Sequence, residues 1–236
     1  MGRWVIKITT DDRFTQPLYT AAQAARYVGM PSSTFHAWAR GYTTTSDNQK
    51  PPVITQVDEA ETGESIPFIG LVEATVIQAF RQTALPLQRI RRALEVLASN
   101  NDLEHALASN KLYSDGAELL MDHAGSNDPT KLLVTVVDGQ RVFHQVISDY
   151  LKRIEFGDMW ARALVLPVTP KHLLRIVPSK GMGQPLFING GAPLASVTDR
   201  LQAGESAQSV ARDFDLPLAD VEEAAGVFAP ETLKAA

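Results

Sequence analysis

Hydrophobic positions along this chain follow a helical spacing in some stretches and a strand spacing in others. From Ala21 to Arg40 the spacing is helical with interruptions at Gly29 and Pro31, which predicts two short helices joined by a glycine turn, the first capped by Thr20. Upstream, "RWVIKI" at residues 3–8 alternates and is rich in β-branched residues, which predicts a short strand. Residues 41–52, "GYTTTSDNQKPP", are polar and turn-rich. The apolar runs "PPVIT" and "SIPFIGL" then flank an acidic tip, "DEAETGE", as the arms of a hairpin would. Leu71 to Gln82 reads as a helix, and "TALP" breaks it. A second helix resumes from Leu87 to Ala98 with Ile90, Leu94 and Leu97 on one stripe and Arg89, Arg91 and Arg92 mostly off it.

The remaining pattern is mixed. A short helix is predicted from Asp102 to Ser109, and Asp115-Gly116 between apolar runs signals a hairpin. "GSNDPT" at 125–130 reads as a linker, so the expected division is a first domain at 1–125 and a second at 131–236. Beyond it "KLLVTVV" reads as a buried strand, and Phe143, Val146, Ile147, Tyr150, Leu151 and Ile154 fit one helical face. "RALVLPV" and "HLLRIV" read as strands and "PSKGMGQP" and "INGGAP" as turns, before a final helical region from about Ala195 to Phe228. The fold class this predicts is α+β and helix-rich: a helix-turn-helix with a wing, then a small mixed domain ending in a second helix-turn-helix.

The first helix-turn-helix has the residues such a unit requires. Ala25 is small enough for a close helix crossing, Gly29 supplies the turn, and Phe35 and Trp38, three apart, face inward. Ser32, Ser33, Thr34 and His36 then lie outward at the start of the second helix, with Arg40 at its end. Short polar groups and a cation there suit base edges and phosphates. Tyr42 and Lys50, in the polar segment that follows, complete the candidate DNA contacts. The competing reading is two packed helices in which Ser32 serves only as a cap. In the second unit, "GESAQSVARDFDLPLADVEEAAGVF" at 204–228, Ser206 is the cap, Ala211 the small contact and Asp215-Leu216 the turn. Its second helix is expected to turn Asp220, Glu222 and Glu223 outward, where they would repel phosphate, so this unit suits packing or protein contact.

Composition narrows the chemistry. The 236 residues are 44% hydrophobic, enough for two cores, and contain no cysteine, which excludes disulfides and thiolate nucleophiles. No apolar run approaches the roughly 18 residues a membrane span needs, and the N-terminus lacks a secretory pattern, so a cytoplasmic protein is expected. The net charge of −5 is unevenly spread: −4 over residues 1–130, +4 over 131–180 and −5 over 181–236. His36, His105, His123, His144 and His172 show no metal-ligand spacing. "GMG" at 181–183 lacks the third glycine and helix start of a phosphate loop, and there is no nucleophile elbow. No catalysis, metal or cofactor is therefore expected.

The "YTAAQAARYVGMPSSTFHAWARG" unit, the expected hairpin and the "ALPLQRIRRALEVL" helix together resemble the DNA-binding domain of the MerR family over about residues 18–98. This chain has Trp38-Ala39-Arg40 where that family's recognition helix ends rich in tyrosine, and its wing is longer and acidic. Residues 170–228 resemble a small helix-turn-helix module of antitoxins, with Gly191-Ala192 where Thr-Arg is usual. The combination is similar to one class of VapB-type antitoxins, whose partners are PIN-domain ribonucleases. The resemblance implies a homodimer that binds double-stranded operator DNA to repress its own operon and neutralises a toxin by direct binding. A PIN ribonuclease gathers carboxylates around a metal, so a cation can engage that cluster. The basic segment offers Lys152, Arg153, Lys171, Arg175 and Lys180 as candidate toxin contacts. The alternative class is a ligand-sensing transcriptional regulator without a toxin, and a third is a protein-interaction adaptor that meets no DNA.

Overall fold

The structure, a computed structural model, describes residues 11–43, 49–82, 86–88, 90–91, 105–110, 152–157 and 159–228. The fold is α+β and helix-rich, with a helix-turn-helix region near its start and a small sheet later. The chain divides into two compact units, Met1–Ala161 and Arg162–Ala236. The linker expected at 125–130, the strands at 3–8 and 131–137, the Asp115-Gly116 hairpin and the helix residues 143–151 lie outside the described residues.

The first unit opens with α1 (Asp12–Thr15), whose N-cap Asp11 accepts from the Arg13 amide at 3.0 Å. Next comes α2 (Ala21–Val28), closed at its start by a capping box. The Thr20 hydroxyl accepts from the Gln23 amide at 3.2 Å while the Gln23 side chain accepts from the Thr20 amide at 2.9 Å. It ends at Gly29 in the left-handed region, φ 75°, and the Met30 amide returns to the Ala25 carbonyl at 3.0 Å. That turn releases the chain into α3 (Ser32–Arg40). Ala24 and Ala25 on α2 and Phe35, Trp38 and Ala39 on α3 are buried, so small residues on one helix admit the aromatics of the other.

After α3, β1 (Tyr42–Thr43) pairs antiparallel with β2 (Gln49–Lys50), Tyr42 opposite Lys50. The hairpin expected from "PPVIT" and "SIPFIGL" is thus replaced by a ladder one step earlier. Three prolines explain the shift. Pro51 and Pro52 have no N–H to give to a ladder, and Pro67 starts α4 (Phe68–Gln82), where the Leu71 amide donates to the Pro67 carbonyl at 3.2 Å. The helix predicted from Leu71 therefore begins at Phe68. The acidic segment between is a tight loop, with Val57 donating to Ser65 at 2.9 Å and Ala60 to Glu64 at 2.8 Å.

Almost all of α4 is buried, and it forms the axis of this unit. Leu87, Gln88, Ile90 and Arg91 are helical, as expected. Arg91, expected off the apolar stripe, is instead 7% exposed: it donates to the Pro51 carbonyl and lies 5.8 Å from the Tyr42 ring. Of the helix predicted at 102–109, the described part is a 3₁₀ turn at Ala106–Ala108.

Strand β3 (Ile154–Gly157) precedes β4 (Trp160–Val165), so Ile154 belongs to a strand and not to the predicted helical face. In the second unit β4 pairs antiparallel with β5 (Leu174–Ile176), and β5 with β6 (Leu186–Phe187). Three helices follow: α5 (Leu194–Gln202), α6 (Ala207–Asp213) and α7 (Leu218–Phe228). Leu164, Leu174, Ile176, Phe187, Val197, Val210, Val221 and Ala224 are each no more than 2% exposed and form the core between sheet and helices.

Candidate nucleic-acid interface

Helix α3 is held by its buried face and therefore presents a defined outer face. Phe35 is fully buried and Trp38 is 3% exposed, whereas Ser32 and Ser33 are exposed and Thr34 and His36 half-exposed. The N-cap is Pro31, which makes no side-chain cap bond, so Ser32 is a helical residue with an exposed side chain and does not serve as the cap. No acidic residue lies in the first turn. A helix start with exposed hydroxyls and no carboxylate is favourable ground for a polyanion.

Tyr42 borders the same face through the sharp exit at Gly41, φ 74°, where a Cβ would run into the Lys50 carbonyl. Ser33, Thr34, Ala37, Trp38 and Tyr42 line an open groove of about 410 Å³ together with Arg81 and Leu87. Arg81 is the cation in the last turn of α4 and was not among the residues expected at this surface. Its helix position was legible, but its place opposite α3 arises only when α4 folds back. The structure thus brings Ser32, Ser33, Thr34, His36 and Arg40 onto one short helix, with Tyr42 and Lys50 facing each other in the adjoining hairpin.

Arg40, at the end of α3, is not solitary. Its guanidinium reaches the Glu59 carboxylate at 3.3 Å, and both side chains remain more than half exposed. Glu59 sits on the acidic loop, so a carboxylate of that loop leans on the cation expected to attract phosphate.

Lys152 and Arg153 lie in the first unit just before β3. In the second unit, Arg175 is in β5, half-buried, and Lys180 is exposed in a turn. Lys171 is paired: its Nζ is 3.7 Å from Glu223, and its backbone amide donates to the same carboxylate at 3.0 Å. That corrects the expected outward row on α7. Asp220 is 8% exposed and accepts from Asn189 at 3.2 Å, and Glu223 turns to Lys171, leaving Glu222 as the exposed member. Arg200 joins the Asp213 and Glu205 carboxylates, which holds the Glu205 carboxyl below its usual range. Among the described residues there is no cluster of three or more metal-ligating side chains, and no helix is long and apolar enough to cross a membrane.

Residues 17–94 match the family described as "Putative DNA-binding HTH domain", a span that contains α2, α3, the hairpin and α4. The chain is 37% identical over 215 residues to "Putative antitoxin VapB45" of Mycobacterium tuberculosis, covering 86% of this chain and 90% of that protein. It is also 26% identical over 220 residues to "Uncharacterized protein Rv2308" of the same organism, covering 88% of each. The crystal structure of Rv2018 from Mycobacterium tuberculosis superposes with a TM-score of 0.71 at 35% identity, over 90% of this chain and 99% of that one. With a helix-turn-helix at its start, a small sheet domain after it and this degree of identity over nearly the full length of both sequences, the chain belongs to the family of the putative antitoxin VapB45.

Proposed function

We propose that this chain is the antitoxin of a type II toxin-antitoxin pair: a homodimer that represses its own operon through α3 and neutralises a PIN-domain ribonuclease by direct binding. The observation that carries the DNA half is the outer face of α3, where Ser32, Ser33 and His36 stand beside Thr34 and Arg40 on a helix braced by Phe35 and Trp38. A helix of this length, fixed by aromatics on one side and polar on the other, can enter a major groove and read base edges from its first turns. Tyr42, Lys50 and Arg81 flank it and suit the sugar-phosphate strand. The sequence of helix, glycine turn, helix, hairpin and buried helix is in keeping with a MerR-like winged domain. Two-fold symmetric operators pair with symmetric dimers, which favours the homodimer.

For the toxin, the cations Lys152, Arg153, Lys171, Arg175 and Lys180 are the candidate contacts, and they differ in readiness. Lys180 is exposed and adjoins Met182, whose side chain is 82% exposed, so one turn offers a cation and an apolar group together. Lys171 would first have to leave Glu223.

The test is co-expression of the full chain with the ribonuclease of the adjacent reading frame, followed by size exclusion and an RNA-cleavage assay. A stable complex that leaves RNA intact is expected. Arg40→Ala should weaken operator binding by about 1–3 kcal/mol while toxin capture is unchanged. An adjacent protein that neither binds nor is silenced would refute the toxin half, and an unchanged operator affinity would refute the role of Arg40.

A further inference from the structure

We infer that Glu59 restrains DNA binding: it holds Arg40 in an internal ion pair that DNA must replace, and so lowers affinity for any duplex that Arg40 contacts. The inference rests on the proposed reading of α3 as a DNA-contacting helix.

The geometry supports an exchange. Arg40 is the cation at the end of α3, and its partner at 3.3 Å is a carboxylate on a separate loop 19 residues further along. That loop is presented rigidly. Val57 donates to Ser65, Ala60 to Glu64 and Gly63 to Ala60, which close it upon itself. Ser65 and Ile66 both donate to the Tyr19 carbonyl at 3.0 Å, while Leu18 and Tyr19 donate to Ile66 at 3.1 Å, so its return arm is tied to the residue before the α2 cap. Glu59 therefore stays beside Arg40 with little loss of backbone freedom. Both side chains are also more than half exposed, so the pair is reachable by a phosphate and weak enough to be displaced.

Charge decides what this does to binding. Sequence-independent affinity comes almost entirely from cations meeting phosphates. A cation already facing a carboxylate, with Asp58, Glu61 and Glu64 on the same loop, contributes little to a loose encounter in which nothing else is gained. When α3 seats in a matching groove, base contacts made by the same helix offset the lost pair, and Arg40 passes from Glu59 to a phosphate. The cost of separating the pair therefore falls on any duplex that Arg40 touches, and Glu59 lowers affinity without favouring one sequence over another.

The full-length protein is used to select a duplex of about 30 base pairs from a random pool, and affinities for the selected duplex and a scrambled one are measured over a salt series. Glu59→Gln should bind the scrambled duplex about two- to fivefold more tightly. Its salt dependence on that duplex should steepen by up to about one unit of slope. The selected duplex should tighten by a similar factor, because the same pair is exchanged there. Arg40→Ala combined with Glu59→Gln should match Arg40→Ala alone. Glu61→Gln makes the same charge change on the same loop and serves as the control. If Glu61→Gln has the same effect as Glu59→Gln, the effect is one of net charge and the inference is overturned. Unchanged binding of both duplexes by Glu59→Gln overturns it as well. A pool that yields no bound sequence at all removes the DNA reading itself, and the inference with it.

Discussion

Glu73 is a carboxylate in the middle of the buried helix α4, and its removal should be the most damaging polar substitution in the first unit. It is 4% exposed, and both oxygens are in use: Oε2 accepts from the Thr55 amide at 2.6 Å, and Oε1 lies 3.0 Å from His105 Nδ1. The Thr55 hydroxyl lies 3.0 Å from the same His105 nitrogen, so three groups share the bonds. His105 is itself pinned between the rings of Phe14, centroid distance 4.8 Å, and Trp160, 6.1 Å. Gly70, one turn before Glu73, has no room for a side chain against the Thr55 carbonyl, so the loop cannot slide to find another partner. Glu73→Ala leaves the half-buried Thr55 amide without its acceptor and His105 with only the Thr55 hydroxyl. With hydrogen bonds to charged groups contributing about 1.5–3 kcal/mol, the loss should be about 3–5 kcal/mol. Glu73→Gln keeps a carbonyl for Thr55 and should lose only about 1–2 kcal/mol. Urea unfolding followed by tryptophan fluorescence gives the two values, and hydrogen exchange at the Thr55 amide locates the damage. A loss below about 1 kcal/mol for Glu73→Ala, or an exchange rate at Thr55 that does not rise, would show that the carboxylate is not what holds this loop.

Two further changes follow from local geometry. Gly41→Ala places a Cβ into the Lys50 carbonyl at φ 74°, so the β1–β2 hairpin should splay and stability should fall by at least about 1 kcal/mol; a thermal melt equal to that of the parent protein would contradict it. Burial raises the Tyr19 phenol well above its ordinary value near 10, and Tyr27 is shifted the same way. The folded state thus favours neutral phenols, and the associated stability is fully present below pH 10 and lost as pH rises past it toward the folded value. Tyr19→Phe should flatten the alkaline limb of a stability-against-pH curve above pH 10; an unchanged limb would mean that Tyr19 is not its source.

Local signals in the sequence located the helix-turn-helix well. Thr20 as the cap, Gly29 at the turn, and Phe35 and Trp38 three apart each act within a few residues of themselves, and each has its expected place. The hairpin was misplaced because its strands are two residues long, polar and exposed, with no alternation to detect. Apolar runs nearby imitated strands, although one led into α4. What brings Arg81 to the groove, or Glu59 to Arg40, is the return of a later segment upon α3, and no spacing within the chain encodes that approach. Asp220 was misjudged for a related reason. Its neighbours on α7 suggested an acidic outer face, but Asn189, 31 residues earlier, waits for it on the inside.

The charges of the second unit lead to a conclusion about recognition. Residues 181–236 carry a net charge of −5, which read as a count would make this end of the chain a strongly acidic surface. Part of that acid is already matched: Glu223 holds Lys171, and Arg200 takes both Glu205 and Asp213, while Asp220 is buried against Asn189. The same pairings reduce the basic excess of residues 131–180, because Lys171 is one of its members. Field at a surface depends on which charges lack a neighbour of opposite sign, and not on the sum along a segment. A carboxylate-rich partner approaching this unit would therefore meet Lys180 and its exposed turn before it could use Lys171. Neutralising Glu223 would free Lys171 without adding any cation, and so would enlarge the basic surface at that point.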